Sequence, residues 1–172
     1  MKKIILLGYM GCGKSTIAKL LSEKTGIPYL DLDEIIEEKT QMSIPDLFNE
    51  RGEIYFRKLE HQIFQDLMTN SQSMVLSLGG GTPCYSNNHE LLKGTGICSV
   101  YLAASIPTLY NRLIHNKTGR PLLANKNEDE LKEFIAKHLF DRSFFYHQAQ
   151  FKVNVDDKNP ENIVSEIEGK LA

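Results

Sequence analysis

Apolar and polar positions fall in short blocks along this chain, and the blocks alternate between two periods. Ile4-Ile5-Leu6-Leu7 is wholly apolar and runs into glycine, which predicts a central parallel strand covered on both faces. Ile17, Leu20 and Leu21 then recur at helical spacing, with Gly26 and Pro28 as the stop. Tyr29 to Leu32 predicts a second short strand ending in Asp31 and Asp33, and Ile35 and Ile36 begin another helical stretch. Ser43 and Pro45 read as a cap and first turn, and Phe56, Leu59, Ile63 and Leu67 form one stripe of a longer helix after Gly52. Met74 to Leu78 predicts a third strand, stopped by Gly79-Gly80-Gly81, and Ile97 to Leu102 a fourth. Helices follow over Ile106, Leu109, Leu113 and Ile114, and over Leu131, Ile135, Leu139 and Phe140. Phe151, Val153 and Val155 predict a fifth strand, and Asn159-Pro160-Glu161 caps a last helix carrying Ile163, Val164, Ile167 and Leu171. Five strands alternating with helices imply a three-layer α/β/α domain with right-handed crossovers.

Between the fourth helix-strand unit and the fifth lies one long polar stretch, residues 116–127, NKTGRPLLANKN. A loop of this length inside a compact domain needs a functional reason. The remainder shows no linker, repeat or low-complexity segment, so the 172 residues read as one domain spanning 1–172. The net charge of -2 gives no global basic field for nucleic acid or an anionic membrane. Any site for a polyanion must therefore be local. The opening MKKIILLGYMGCGKS resembles a charged, apolar targeting segment, but its apolar run is too short and a glycine loop follows. No stretch approaches the ~20 apolar residues that span a bilayer. Cys12, Cys84 and Cys98 lack metal-ligand spacing and read as reduced thiols, which implies a cytoplasmic protein.

The local polyanion site is legible. Gly8-Tyr9-Met10-Gly11-Cys12-Gly13-Lys14-Ser15 matches G-x-x-x-x-G-K-[ST] and sits between a strand and a helix, the context that gives the pattern structural meaning. Glycines let backbone N–H groups turn inward onto phosphate oxygens, and the helix adds the positive end of its dipole. Gly11, Cys12, Gly13 and Thr16 are the expected backbone cradle, Lys14 reaches the β- and γ-phosphates, and Ser15 offers its hydroxyl to Mg²⁺. A plain glycine turn would explain the glycines but not the Lys-Ser pair. Cys12 reads as a small filler whose side chain points away from the ligand.

A phosphate loop alone does not separate a kinase from a switch GTPase. No aspartate here has glycine three residues on, and Asn125-Lys126-Asn127-Glu128 is only a near miss to a guanine motif and lies in the long loop. Asp31-Leu32-Asp33 points toward a kinase. At strand spacing its carboxylates share a face, where one can help hold Mg²⁺ and the other accept a proton from a substrate hydroxyl. In isolation such a pair is more often a solvated strand end and a helix cap, with Asp33 ahead of Ile35 and Ile36; its place on the strand after the phosphate loop favours chemistry.

Taken together, the order of features resembles the shikimate kinase family over essentially the whole chain. After the phosphate loop and Asp31-x-Asp33 come Gly52-Glu53-x-x-Phe56-Arg57-x-x-Glu60, the triple glycine 79–81, Arg120-Pro121-Leu122-Leu123, and Arg142-x-x-x-Tyr146-x-x-Ala149. The resemblance implies a P-loop kinase fold of the nucleoside-monophosphate-kinase type, with a five-stranded parallel sheet in the order 2-3-1-4-5 and a mobile lid over approximately 116–127. It implies Mg²⁺-dependent transfer of the γ-phosphate of ATP to the 3-hydroxyl of shikimate, giving shikimate 3-phosphate and ADP, a step of aromatic amino acid biosynthesis, by a monomer.

The same resemblance distributes roles. Ser15 and Asp31 position Mg²⁺, and Asp33 bonds the ring hydroxyls and is the candidate base. Arg57 and Arg142 bind the carboxylate, with Gly79, Gly80 and Gly81 against the acid, in a region of approximately 33–61 plus the glycine turn. Lys14, Asp33 and Arg120 form the catalytic set, Arg120 closing over ATP from the lid. Arg112 and the loop from Asp156 to Pro160 neighbour the adenine. Arginine forks suit carboxylates, and Glu60, three residues beyond Arg57, can hold its guanidinium. The chain departs from the family pattern at Phe144, Gln148 and Asn87-Asn88-His89, where the family has proline, glutamate and an Asn-Arg pair. A gluconate-kinase-like enzyme and a nucleotide-binding regulatory module are the rival readings.

Overall fold

The structure, a computed structural model, describes residues 2–115, 123 and 125–171. Its centre is β1 (Lys3–Leu7), buried along its whole length. Its apolar run from Ile4 to Leu7 needs cover on both faces. It lies between β3 (Met74–Ser77) and β4 (Ile97–Ala103), with β2 (Tyr29–Asp31) and β5 (Phe151–Asn154) outermost. Every pairing is parallel, and the order is β2-β3-β1-β4-β5. This is the α/β sheet that the resemblance implied.

The helices are α1 (Lys14–Thr25), α2 (Leu32–Thr40), α3 (Ile44–Thr69), α4 (Ile106–Ile114), α5 (Glu128–Tyr146) and α6 (Pro160–Leu171). Their starts follow local chemistry. Ser43 accepts from the N–H of Asp46 with Pro45 in the first turn, and Ser105 does the same for Thr108. Asn127 and Glu130 form a reciprocal capping box, and Asn159 accepts from the N–H of Asn162. Gly52, with φ 81, breaks α3 into two helical parts where the sequence had marked a new start. The far end of α3 is closed by Lys3, whose buried ammonium donates to the carbonyls of Leu67, Met68 and Asn70, a cation at the negative end of a helix dipole. No helix among the described residues is long and apolar enough to cross a membrane.

The structure corrects the reading of the second strand. β2 stops at Asp31, because Asp31 Oδ1 accepts from the N–H groups of Asp33 and Glu34 at 3.0 and 3.2 Å and caps α2. Asp33 is therefore a first-turn helix residue, not the cap, and the two carboxylates are not neighbours on one strand face. Capping wins because an aspartate at this position satisfies two otherwise orphaned helix donors. Phe140 is a second correction: it stands 83% exposed instead of joining the core stripe of Leu131 and Ile135. Smaller shifts occur at strand ends. Val155 lies just past β5, yet its N–H still bonds Ala103 O at 2.9 Å and its side chain is buried.

Register carries the fold to the site. Leu6 of β1 and Asp31 of β2 both pair with Ser77 of β3. The carboxyl ends of three strands thus lie side by side, and the segments leaving them share one crevice, as in open parallel sheets generally.

Candidate functional site

The segment between β1 and α1 turns over the sheet edge. Gly8 has φ 149, and a Cβ there would lie 2.7 Å from Leu102 O and 2.8 Å from Cys12 Sγ. Both its conformation and its space exclude a larger residue. Gly13, with φ 101, starts α1 without any side-chain cap, leaving the helix N-terminus to a ligand. Lys14 Nζ folds back to Gly8 O at 2.8 Å and Tyr9 O at 3.1 Å. The ammonium is thereby held over the loop before any phosphate arrives. Cys12 is buried, as its reading as a filler required.

Ser15 Oγ donates to Asp31 Oδ2 at 3.4 Å, and the Tyr29 hydroxyl donates to the same oxygen at 3.4 Å. Asp31 thus divides its work: Oδ1 caps α2 and Oδ2 faces Ser15. Among the described residues no group of three or more His, Cys, Asp or Glu side chains could hold a metal ion. The oxygen pair of Ser15 and Asp31 still fits Mg²⁺, which keeps several waters and takes its other ligands from substrate phosphates.

Asp33 lies deeper. A cavity of about 300 Å³ is lined by Lys14, Ser15, Thr16, Asp31, Asp33, Ser77, Gly79 and Gly80, among others. Burial and the charges of Asp31 and Glu60 push the Asp33 carboxyl up to about 6, with Lys14 opposing. It is still ionised at neutral pH and is a better proton acceptor than an ordinary aspartate.

The triple glycine brings the acid-side residues together. A Cβ on Gly79 would lie 3.1 Å from Asp33 Oδ1, one on Gly80 3.1 Å from Arg142 Nη1, and one on Gly81 2.7 Å from Arg57 Nη2. Two guanidinium groups from distant helices therefore rest on consecutive glycines, with the carboxylate of Asp33 on the glycine before them. The hydroxyl of Tyr146, one turn beyond Arg142, donates to Gly80 O at 2.7 Å and ties α5 to this turn. Arg57 is braced from three sides. Its Nη1 donates to Glu60 Oε1 at 2.8 Å, Glu53 lies 3.6 Å from its Nε, and the Tyr85 ring stacks on it with 3.9 Å to the centroid. Glu60 is only 1% exposed, so this is no surface salt bridge. Burial pushes the Cys84 thiol up to about 11, although Arg142 and Arg57 nearby oppose it.

On the other side of the phosphate loop, a larger cavity of about 570 Å³ is lined by Gly11, Gly13, Thr16, Arg112, Lys158 and Pro160, among others. Arg112 Nη1 donates to Gly11 O at 3.1 Å. The same cavity is where Arg112 meets Lys158 and Pro160 of the Asp156–Pro160 loop, and Asp156 accepts from Ser105 N at 3.0 Å. Arg120 and most of the 116–127 stretch lie outside the described residues; Leu123 is buried in the core.

Sequence reasoning missed the bracing set. Tyr85 and Thr82 carried no signal, and Asn88 only that of a departure from the family pattern, because their neighbours come from elements remote in sequence. Tyr146 did carry one, its i,i+4 spacing from Arg142.

Comparison with known proteins agrees with this geometry. A family model described as Shikimate kinase matches residues 10–172. A shikimate kinase of Flavobacterium johnsoniae is 60% identical over 172 residues, covering 100% of both chains. The crystal structure of shikimate kinase from Bacteroides thetaiotaomicron superposes with a TM-score of 0.91 at 37% identity, covering 99% of this chain and 98% of that one. The shikimate kinase from Acinetobacter baumannii in complex with shikimate superposes with a TM-score of 0.88 at 29% identity, covering 99% and 93%.

Proposed function

Because this chain belongs to the shikimate kinase family, we propose that the crevice described above carries out its phosphotransfer, from ATP to the 3-hydroxyl of shikimate. The enzyme is an ATP-dependent kinase of that family; the residue roles that follow are our assignment. One observation carries them. A single glycine turn touches Asp33 at one end and the two arginines at the other, which matches a small ring acid presenting a hydroxyl to a base and a carboxylate to paired guanidinium groups.

Lys14 holds the β- and γ-phosphates against the N-terminus of α1. Ser15 and Asp31 would hold Mg²⁺, which would supply positive charge against the phosphates. Asp33 accepts the proton of the attacking hydroxyl, and Gly79, Gly80 and Gly81 let the ring approach the backbone. Arg57 and Arg142 fix the carboxylate. Gly11, Cys12, Gly13 and Thr16 surround the phosphates, and Arg112 with Pro160 flanks the adenine. Arg120 is assigned the closing contact on the transferring phosphoryl group by the Arg-Pro-Leu-Leu resemblance alone. We assign the site to a monomer working as one domain, with its acid region over approximately 33–61 and its lid over approximately 116–127. Reduced thiols at Cys12, Cys84 and Cys98 suit the cytoplasm.

The test is ADP release coupled to a reporter, with shikimate and gluconate as acceptors. Release with shikimate alone supports the assignment; release with neither would leave a nucleotide-binding module, and preference for gluconate would reopen the sugar-acid reading.

The carboxylate contact makes a sharper expectation. Shikimate amide keeps the ring and hydroxyls but withholds the charge that the two half-buried guanidinium groups are placed to meet, so kcat/KM should fall by roughly 10- to 100-fold relative to the acid. Arg57→Ala and Arg142→Ala should each narrow that preference and raise KM for shikimate much more than KM for ATP. Equal efficiency for acid and amide in the unmodified enzyme would mean that the carboxylate is not read.

A further inference from the structure

The turn after the triple glycine contains two fully buried polar side chains, Thr82 and Asn88. They do not stand alone. Asn88 Nδ2 donates to Thr82 O at 2.9 Å, and Asn88 Oδ1 lies 2.7 Å from His61 Nδ1. With its amide committed to a carbonyl, Asn88 presents only an oxygen to His61, so His61 must donate from Nδ1. Thr82 Oγ1 in turn donates to Glu60 Oε2 at 2.8 Å, and the other oxygen of Glu60 takes Arg57 at 2.8 Å. The result is one path of hydrogen bonds in two parts that meet at Thr82: His61 and Asn88 reach its backbone carbonyl, and its hydroxyl leads on to Glu60 and Arg57. It starts and ends on α3 and passes through the glycine turn between.

We infer that Thr82 and Asn88 are positioning residues for the acid substrate, locking the glycine turn to α3 so that Arg57 meets the carboxylate in one fixed orientation. Two features of the geometry point this way. Glu60 is buried, and a buried carboxylate with one free oxygen could rotate and carry the guanidinium with it; the Thr82 hydroxyl occupies that second oxygen. Thr82 also sits at the other end of the same site. Its Oγ1 would be 3.0 Å from a Cβ on Gly79, the glycine that also contacts Asp33. The hydroxyl therefore fixes the spacing between the carboxylate-binding arginine and the reacting end. With both Glu60 oxygens occupied the carboxylate is held in a single arrangement, whereas one with a free oxygen is not.

The inference rests on the reading of Arg57 as the carboxylate contact, and the experiment separates the two. Steady-state kinetics are measured on the intact enzyme, Thr82→Val, Thr82→Ser, Asn88→Ala, Arg57→Ala and the double variant Thr82→Val with Arg57→Ala. Thr82→Val keeps shape but removes the donor, and should raise KM for shikimate about tenfold with KM for ATP unchanged. Thr82→Ser restores the hydroxyl and should restore KM. Asn88→Ala acts from the far end of the path and should move KM the same way. Because the effect is transmitted through Arg57, the double variant should be no worse for shikimate than Arg57→Ala alone. Should Thr82→Val not fold, Thr82→Ala, which only removes atoms, takes its place in every comparison. Unchanged KM for shikimate in the Thr82 variants, an equal rise for both substrates, or additive losses in the double variant would each overturn the positioning role. Unchanged KM in Arg57→Ala would instead overturn the underlying reading of the acid site.

Discussion

Replacing Lys14 by methionine is expected to lower kcat by about 10²–10³-fold or more, the scale seen when a preorganised charge is removed from a transition state, while the chain stays folded. The expectation rests on where the ammonium already is. Gly8 O and Tyr9 O hold Nζ at 2.8 and 3.1 Å, so no rearrangement of the main chain is needed when phosphate arrives. Negative charge on the transferring group redistributes during the reaction, and a cation fixed at that place interacts more strongly with the transition state than with bound ATP. Methionine fills similar volume without charge. The side chain is half-buried at the start of α1 and outside the hydrophobic core, so thermal unfolding should stay close to that of the unmodified protein. Near-normal turnover in the folded variant would remove the phosphate loop from the chemistry.

Asp33→Asn should also lower kcat steeply, by about 10²–10⁴-fold, the range of general-base contributions, with little change in KM for ATP. Asparagine keeps the shape but can neither take the proton nor balance the nearby cations. The pH profile adds a second readout. Burial and the neighbouring charges of Asp31 and Glu60 raise this carboxyl to about 6. As the pH falls through that value Asp33 becomes protonated and can no longer act as base, so kcat/KM should decline on the acid side. That decline should vanish in Asp33→Asn. A large loss of ATP affinity instead would assign Asp33 to the metal and leave Asp31 as a helix cap alone.

The roles of these two aspartates show where reading the sequence reached its limit. Asp31-Leu32-Asp33 was legible as a functional pair, but its geometry was not. The same residues can extend a strand or cap a helix, and both are local options of similar energy. The choice goes to the cap because β2 is only an edge strand, paired on one side by β3, and α2 needs donors satisfied at its start. Phe140 failed for a related reason. Helical spacing put it near the stripe of Leu131 and Ile135, but the stripe is narrower than the periodicity allowed, and only packing against the sheet decides its width.

What the sequence determined by itself was whatever depends on near neighbours: the five strands, the helix starts at Ser43 and Asn159, the glycine conformations around Lys14, and the pairing of Arg57 with Glu60 one turn apart. These follow from side-chain period, capping and φ restrictions, all of which act within a few residues. Only the tertiary structure decided that Arg57 and Arg142 rest on adjacent glycines, that Glu60 is buried, and that Thr82 and Asn88 complete its hydrogen bonds. Those contacts join α3, α5 and the turn after β3, and their distances are set by sheet order and register. Burial then converts an ordinary i,i+3 ion pair into a fixed guanidinium, because a carboxylate removed from water must satisfy both oxygens within the protein.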